Sequence, residues 1–401
     1  VSAASTVGPS RIVLLICYLG FVSLGLPDTV IGVAWPSVRE TFGVRQSAVS
    51  WIFVGAGCSY FISSFLAGRL LTLFNVGFLL AASSALVSLS GFNFAAAPAW
   101  AWFAAGAWLH GLGSGAIDAG LNHYVASHFS ARHMNWLHAC YSAGAMLGPV
   151  IMTAAITRAD SWRLGYLIVA ITLLALSILF LSTRGHWGVP RAASAEIGVA
   201  VKATTAAIAL RSGMVWLHMT LFFVYTGLEV ALGQWSFTVL IESRHAAPAT
   251  AGVWVSIYWA AILVGRILFG FVVERIGIDT LVRCSLVTAA AGTALFLWDP
   301  RPWTSPLALA LAGFGLAAIY PSLMTRTPQR MGAGIAAHAV GFQVGAAMLG
   351  AAALPSVVGF VAERAGLNVV PAVVFGVAAG LWLLHELTVW LTRPTRVAAR
   401  Q

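Results

Sequence analysis

Long apolar runs, each about the length of a membrane-crossing helix and each closed by a turn or a charge, recur along the whole of this 401-residue chain. A helix that crosses the hydrocarbon core needs about 20 mainly apolar residues. By that measure the pattern predicts twelve spans, at 11–37, 47–71, 75–97, 100–127, 133–157, 162–183, 212–240, 249–273, 279–298, 304–325, 332–360 and 368–392. The first run is longer than the apolar stretch of a signal peptide and lacks a small-residue cleavage pattern, so it is expected to persist as a mature helix. Between Arg184 and Arg211 lies the longest weakly apolar stretch, with Pro190, three Arg and one Lys. It divides the spans six and six, which predicts an all-α polytopic membrane protein of two six-helix bundles, 1–183 and 212–401, joined by a cytoplasmic linker at 184–211.

Composition removes the alternatives to a membrane protein. Hydrophobic residues make up 60% of the chain and charged residues 8%, against about 25% charged in soluble proteins, which excludes a soluble enzyme. The net charge of +10 reads as a topology signal rather than a nucleic-acid footprint, because Lys and Arg concentrate in cytoplasmic loops. With the N-terminus inside, fourteen basic residues fall on the cytoplasmic side (among them Arg11, Arg69, Arg184, Arg275 and Arg400) and seven outside (Arg39, Arg45, Arg158, Arg163, Arg244, Arg301, Arg364). Both termini are therefore expected in the cytoplasm. Arg266 alone falls within a span, the eighth, where it can snorkel toward the cytoplasmic end; a structural role is its expected one. Cys17, Cys58, Cys140 and Cys284 show no C-x-x-C spacing, so neither a disulfide framework nor a zinc site is indicated. No phosphate-binding G-x-x-x-x-G-K-[ST] occurs, which excludes ATP as energy source; no cofactor or metal is expected. Trp100, Trp162, Trp298, Trp303 and Trp390 fall at span ends and are expected in the interfacial belt.

A shift of 202 residues superposes the halves on themselves. It places Val22, Gly25 and Leu26 on Val224, Gly227 and Leu228, and Gly68 on Gly270. It also places Gly111, Gly113, Ile117 and Leu121 on Gly313, Gly315, Ile319 and Leu323, and Ala145-Met146-Leu147-Gly148 on Ala347-Met348-Leu349-Gly350. Four helix pairs sharing one offset make an internal repeat, and two parallel six-helix halves with the pathway between them is the arrangement expected of major facilitator transporters.

Two sets of motifs carry a resemblance at that level. Gly270-x-x-x-Glu274-Arg275-x-Gly277, between spans eight and nine, resembles the G-x-x-x-D/E-R-x-G loop of the major facilitator superfamily, which implies a charged cytoplasmic latch formed by Glu274 and Arg275. The equivalent stretch of the first half, Gly68 to Gly77, carries Thr72 and Leu73 instead, so that latch is degenerate. Within the superfamily, Tyr225-x-Gly227-x-Glu229-x-x-x-Gly233-x-Trp235 in span seven is similar to the Y-x-G-x-E-x-x-x-G-x-W pattern of the fucose–proton symporter branch of bacterial sugar transporters. The stretch from Gly111 through Asp118 and Asn122 to His138 and Gly148-Pro149 looks like it too. The resemblance implies acids on spans one and four in proton coupling and sugar binding, a bacterial cytoplasmic membrane, and a monomer as the working unit.

An ionisable residue near the middle of a span costs about 2.5–3.5 kcal/mol on insertion scales, so it marks a partner or a role. Asp28, Asp118 and Glu229 meet that description. Asp28 follows Pro27 between Gly25 and Gly32, where the helix can be irregular and face a cavity; it is either a proton-carrying and substrate-binding acid or a plug for unravelled backbone. Asp118 and Asn122 are four apart and share a helix face, suited to sugar hydroxyls, to interhelical hydrogen bonding or to an inward proton relay. Glu229 lies at nearly the level of Asp28 in the other half, with Gln234 and Trp235 beyond; it is a substrate or proton residue, or is bonded to a neighbouring helix. His138 stands near Tyr141 on span five. Trp235 and Trp259, with Tyr141, Tyr258 and Tyr320, are candidate ring faces for a sugar, the other reading being lipid-facing bulk. Gln343, the repeat equivalent of Tyr141, is a candidate hydrogen-bonding residue.

The expected function is proton-coupled uptake of a small molecule, a sugar, by rocking of the two halves. The competing one is proton-driven efflux of drugs or other organic molecules, because Gly144-x-x-x-Gly148-Pro149 resembles an antiporter motif; the absence of an Arg between Trp100 and Phe129 argues against it. An intramembrane protease is excluded, since Leu112 breaks the G-x-S-G match and no second aspartyl motif occurs.

Overall fold

The computed structural model describes residues 11–129, 131–187, 206–301 and 303–392. The first span consists of α1 (Arg11–Asp28) and α2 (Val30–Phe42), parted at Thr29; α3 (Ser50–Leu73), α4 (Val76–Ala96), α5 (Trp100–His128), α6 (Ala131–Ala159) and α7 (Trp162–Ser182) are the next five. After the short α8 (Ala206–Ala209) come α9 (Gly213–Thr238), α10 (Pro248–Ile276) and α11 (Ile278–Trp298). The tenth span is α12 (Thr304–Leu316) and α13 (Ile319–Met331), followed by α14 (Ala333–Ala365) and α15 (Val370–Leu391). All twelve predicted spans are helical. Of the linker predicted at 184–211, residues 188–205 lie outside the described residues, as do Arg393, Arg396 and Arg400 of the orientation count.

Among the described residues, eleven helical stretches are long and apolar enough to cross a membrane. The span missing from that set is α5, whose apolar character is diluted by His110, Asp118 and Asn122 among its glycines and tryptophans. The first span ends later than predicted. Gly43, at φ 60°, supplies the left-handed residue that closes α2, so Arg39 is in the last turn of a helix, where a cation suits the dipole, rather than in a loop.

The chain forms two compact units. Among the described residues, one comprises those up to 187 with 246–259, the other 206–245 with those from 260 to 392. In both, helices approach where a side chain is missing, the usual device where no hydrophobic driving force separates helix from lipid. A Cβ at Gly113 would lie 2.5 Å from the Ser83 carbonyl oxygen, and one at Gly315 would lie 2.6 Å from that of Ser285; glycine and serine are each displaced by 202. Likewise a Cβ at Gly25 would meet the Tyr141 carbonyl at 2.1 Å, seating α1 on α6, and one at Gly350 would meet the Phe223 carbonyl at 2.0 Å, seating α14 on α9. The repeat is therefore a repeat of backbone contacts.

Large apolar side chains such as Phe65, Ile178 and Leu383 are exposed, as lipid-facing helix sides require. Trp298, Trp303 and Trp390 are exposed at span ends as well. Trp162 is not: it is buried against Phe42, Phe103 and Tyr166, and its indole donates to Thr41 Oγ1 at 2.9 Å. An indole that finds an aromatic cluster and a hydroxyl acceptor gains more there than at the interface. Beyond α9, Arg244 pairs with Asp299 at 3.1 Å and donates to Ser305 Oγ at 3.0 Å and to the Phe296 carbonyl, tying the end of α9 to the α11–α12 turn. Burial lowers its guanidinium below the ordinary value and Asp299 counters it.

Candidate functional site

Asp28 occupies the last position of α1, one residue after Pro27 and beside the break at Thr29. Proline cannot donate to the helix ladder, and the interruption that the sequence predicted is present. Thr29 is held there by a 2.8 Å hydrogen bond to the Ala145 carbonyl of α6. Both oxygens of the Asp28 carboxylate are engaged. Oδ1 lies 2.9 Å from His110 Nε2 on α5, and Oδ2 accepts from the Tyr141 hydroxyl of α6 at 2.9 Å. The side chains of His110 and Asp28 are 15% and 27% exposed, so the pair is enclosed but reachable.

A second carboxylate stands two turns along α5. Asp118 accepts from the Tyr60 hydroxyl of α3 at 2.6 Å and from the Asn122 amide at 2.9 Å. It feels the charge of Asp28. Neither acid has a Lys or Arg partner among the described residues. His138 packs edge-on against Phe21, ring centroids 5.3 Å apart.

In the second unit the acid is differently placed. Glu229 on α9 accepts from the Tyr225 hydroxyl one turn earlier and faces Arg266 of α10, Nη2 to Oε1 3.5 Å. Arg266 is 12% exposed. It does not snorkel to the span's end as expected, because a buried carboxylate within reach compensates its charge better than the distant interface. Tyr320, at the repeat position of Asp118, packs on Phe222 and Tyr225.

The remaining predicted residues fall outside these two clusters. Trp235 is fully buried and donates to the Pro355 carbonyl at 2.9 Å. Gln234 is buried with its amide nitrogen unpartnered among the described residues. Trp259 packs on Tyr258 within the first unit. Gln343, also fully buried, accepts from Thr327 at 3.0 Å and lies 3.3 Å from His218, which faces Arg330 at 3.3 Å.

In the loop motif, Gly277 has φ +78°, which is why glycine closes α10 there. Arg275 is exposed, and the Glu274 side chain lies outside the described residues. The acid that pairs nearby is one that sequence reasoning passed over: Asp279, 2.6 Å from Arg326 and 3.1 Å from Arg330. His110 is the other residue passed over; the signal that points to it is a span-embedded acid, Asp28, with no cation within two turns before it along its own helix.

A family model described as "Major Facilitator Superfamily" matches residues 17–243 and 222–401. The chain belongs to the major facilitator superfamily. This membership makes it an integral membrane transporter of small molecules, and the family is not one of enzymes. It is similar to bypass of stop codon protein 6 of Saccharomyces cerevisiae, at 23% identity over 91% of this chain and 80% of that protein. It is similar also to sodium-dependent glucose transporter 1 of Homo sapiens, at 22% identity over 84% of this chain and 71% of that one. Among solved structures, the nucleoside transporter NupG superposes with a TM-score of 0.76 at 14% identity, covering 95% of this chain and 99% of that one. That likeness fixes the major facilitator fold.

Proposed function

We propose that this major facilitator carries a sugar together with a proton, by alternating access of halves 1–183 and 212–401, into a bacterial cell across its cytoplasmic membrane. The observation that carries the reading is the setting of Asp28: a carboxylate at a helix break, held by a phenol and an imidazole, with a second acid, Asp118, in electrostatic range. An acid that lacks a permanent counter-ion changes charge when it binds a proton, and that change can bias a two-state carrier. Glu229, compensated by Arg266, serves substrate binding rather than proton carriage. Asn122, His138 and Tyr141 add hydroxyl-recognising groups from the first half, and Gln234, Trp235, Trp259 and Gln343 are the further candidates. Glu274 and Arg275 act in the gate.

The substrate named for the human relative supports a sugar, and that named for NupG makes a nucleoside, with its ribose hydroxyls, the second substrate class to test. The G-x-x-x-G-P motif does not argue for efflux, since Gly144 and Gly148 are accounted for by close approach to the backbone of α1. Purified protein in liposomes is tested with radiolabelled D-glucose and uridine under an inward proton gradient. Accumulation of D-glucose above equilibrium is expected; accumulation of uridine alone replaces the sugar reading, and indifference of both to the gradient defeats the coupling.

A further inference from the structure

We propose that His110 is the second half of the coupling site: the transported proton is held between its imidazole and the Asp28 carboxylate, and this pairing selects a proton against sodium. The inference rests on the reading of Asp28 as the proton site and adds what makes that site selective.

A lone carboxylate is poorly suited to the task. A free Asp titrates at about 3.9 and a free imidazole at about 6.5, so near neutral pH a basic nitrogen beside the acid is what lets the pair pick a proton up. With Nε2 and Oδ1 2.9 Å apart, the unloaded pair is a neutral imidazole donating Nε2–H to a carboxylate, with net charge of minus one. One proton from the outer solution converts it to imidazolium and carboxylate, net zero; loss of that proton to the inner solution restores the first state. No bond other than N–H or O–H forms or breaks. Of the other titratable groups, Tyr141 of α6 donates to Asp28, and Asp118 of α5, which accepts from Tyr60 of α3, lies in electrostatic range; among the described residues no Lys or Arg ion-pairs with Asp28.

The same geometry disfavours sodium. A hard cation is held by several oxygen ligands. Here one carboxylate oxygen faces a ring nitrogen and the other takes the Tyr141 proton, so a metal ion would meet an N–H and an O–H pointing toward it. The sodium dependence in the name of the human relative is therefore not expected in this chain.

The test has a readout that needs no substrate. Infrared difference spectra of the purified protein are recorded across a pH titration in sodium chloride and in choline chloride, for wild type, His110→Gln, Asp28→Asn and the exposed-loop control His245→Gln. Wild type and control are expected to show imidazole and carboxylate bands titrating together, insensitive to sodium. In His110→Gln the imidazole contribution that tracks the carboxylate band should be lost, and the carboxylate band should no longer shift with it. An unchanged imidazole component in that variant, or displacement of the titration by sodium, would overturn the proposal. Thermal unfolding and size-exclusion profiles matching wild type show that the variant is folded. Because glutamine keeps a donor at this position but cannot take up a proton, a His110→Gln transporter should lose more of its gradient-driven D-glucose accumulation than of its equilibrium exchange; equal loss of both assigns His110 to packing. If wild type accumulates neither D-glucose nor uridine yet the coupled titration is present, the transport reading fails while the proton pair stands.

Discussion

The two units share a scaffold and differ in their chemistry. Gly113 on Ser83 and Gly315 on Ser285 are the same helix contact displaced by 202 residues, and Gly25 and Gly350 seat corresponding helix pairs. At the positions that carry charge the correspondence lapses: Asp118 is matched by Tyr320, and Tyr141 by Gln343. The first unit holds its acids with neutral or titratable partners, Tyr60, Asn122, His110 and Tyr141. The second holds its acid with an arginine. Backbone-to-backbone contact tolerates no added atoms and so keeps the repeat, whereas a side chain facing the interior can be exchanged if its new partner satisfies it.

The largest effect that would sharpen this contrast is on Asp28. Asp28→Asn is expected to reduce gradient-driven accumulation to that of protein-free liposomes while leaving thermal stability unchanged or slightly raised, since no counter-ion is orphaned. Retention of accumulation would transfer the carrier role to Asp118. Next comes the second unit: Arg266→Ala should destabilise the detergent-purified protein by about 3–5 kcal/mol, because it leaves a buried carboxylate uncompensated, and adding Glu229→Gln should recover most of it. If Arg266→Ala is no more harmful than Asp28→Asn, the distinction between the two acids is wrong. Third, Gly25→Val and Gly350→Val should each cost about 1–3 kcal/mol or more by overpacking against a carbonyl, similarly in the two halves, as read by thermal unfolding; a cost in only one would break the scaffold equivalence. The smallest effect is at Glu386, about a third exposed and paired with Arg283 at 2.6 Å: Glu386→Gln should change stability by no more than about 1 kcal/mol.

Much of this was legible in the chain. Twelve apolar runs became twelve helical spans, the break at Asp28 was foreshadowed by Pro27, and the offset of 202 reappears as matched glycine contacts. Asp118 and Asn122, one turn apart, bond as their spacing implied. What was missed has a common cause. Arg266 was expected to snorkel and His110 was passed over, because the acids they meet, Glu229 and Asp28, lie on other helices. Trp235 looked like a ring available to a substrate and is instead closed against Pro355, 120 residues away.

The sequence by itself determined the elements whose cause is local: the length of each apolar run, the proline and glycine that stop or part a helix, and the repeat that makes two bundles of the major facilitator fold. Only the tertiary structure decided which groups share a charge. The Tyr60, His110 and Tyr141 contacts to the acids span 58, 82 and 113 residues, and which partner an acid obtains depends on which helices pack and how they are rotated. That is set by the close glycine approaches acting together, and no single span carries the information.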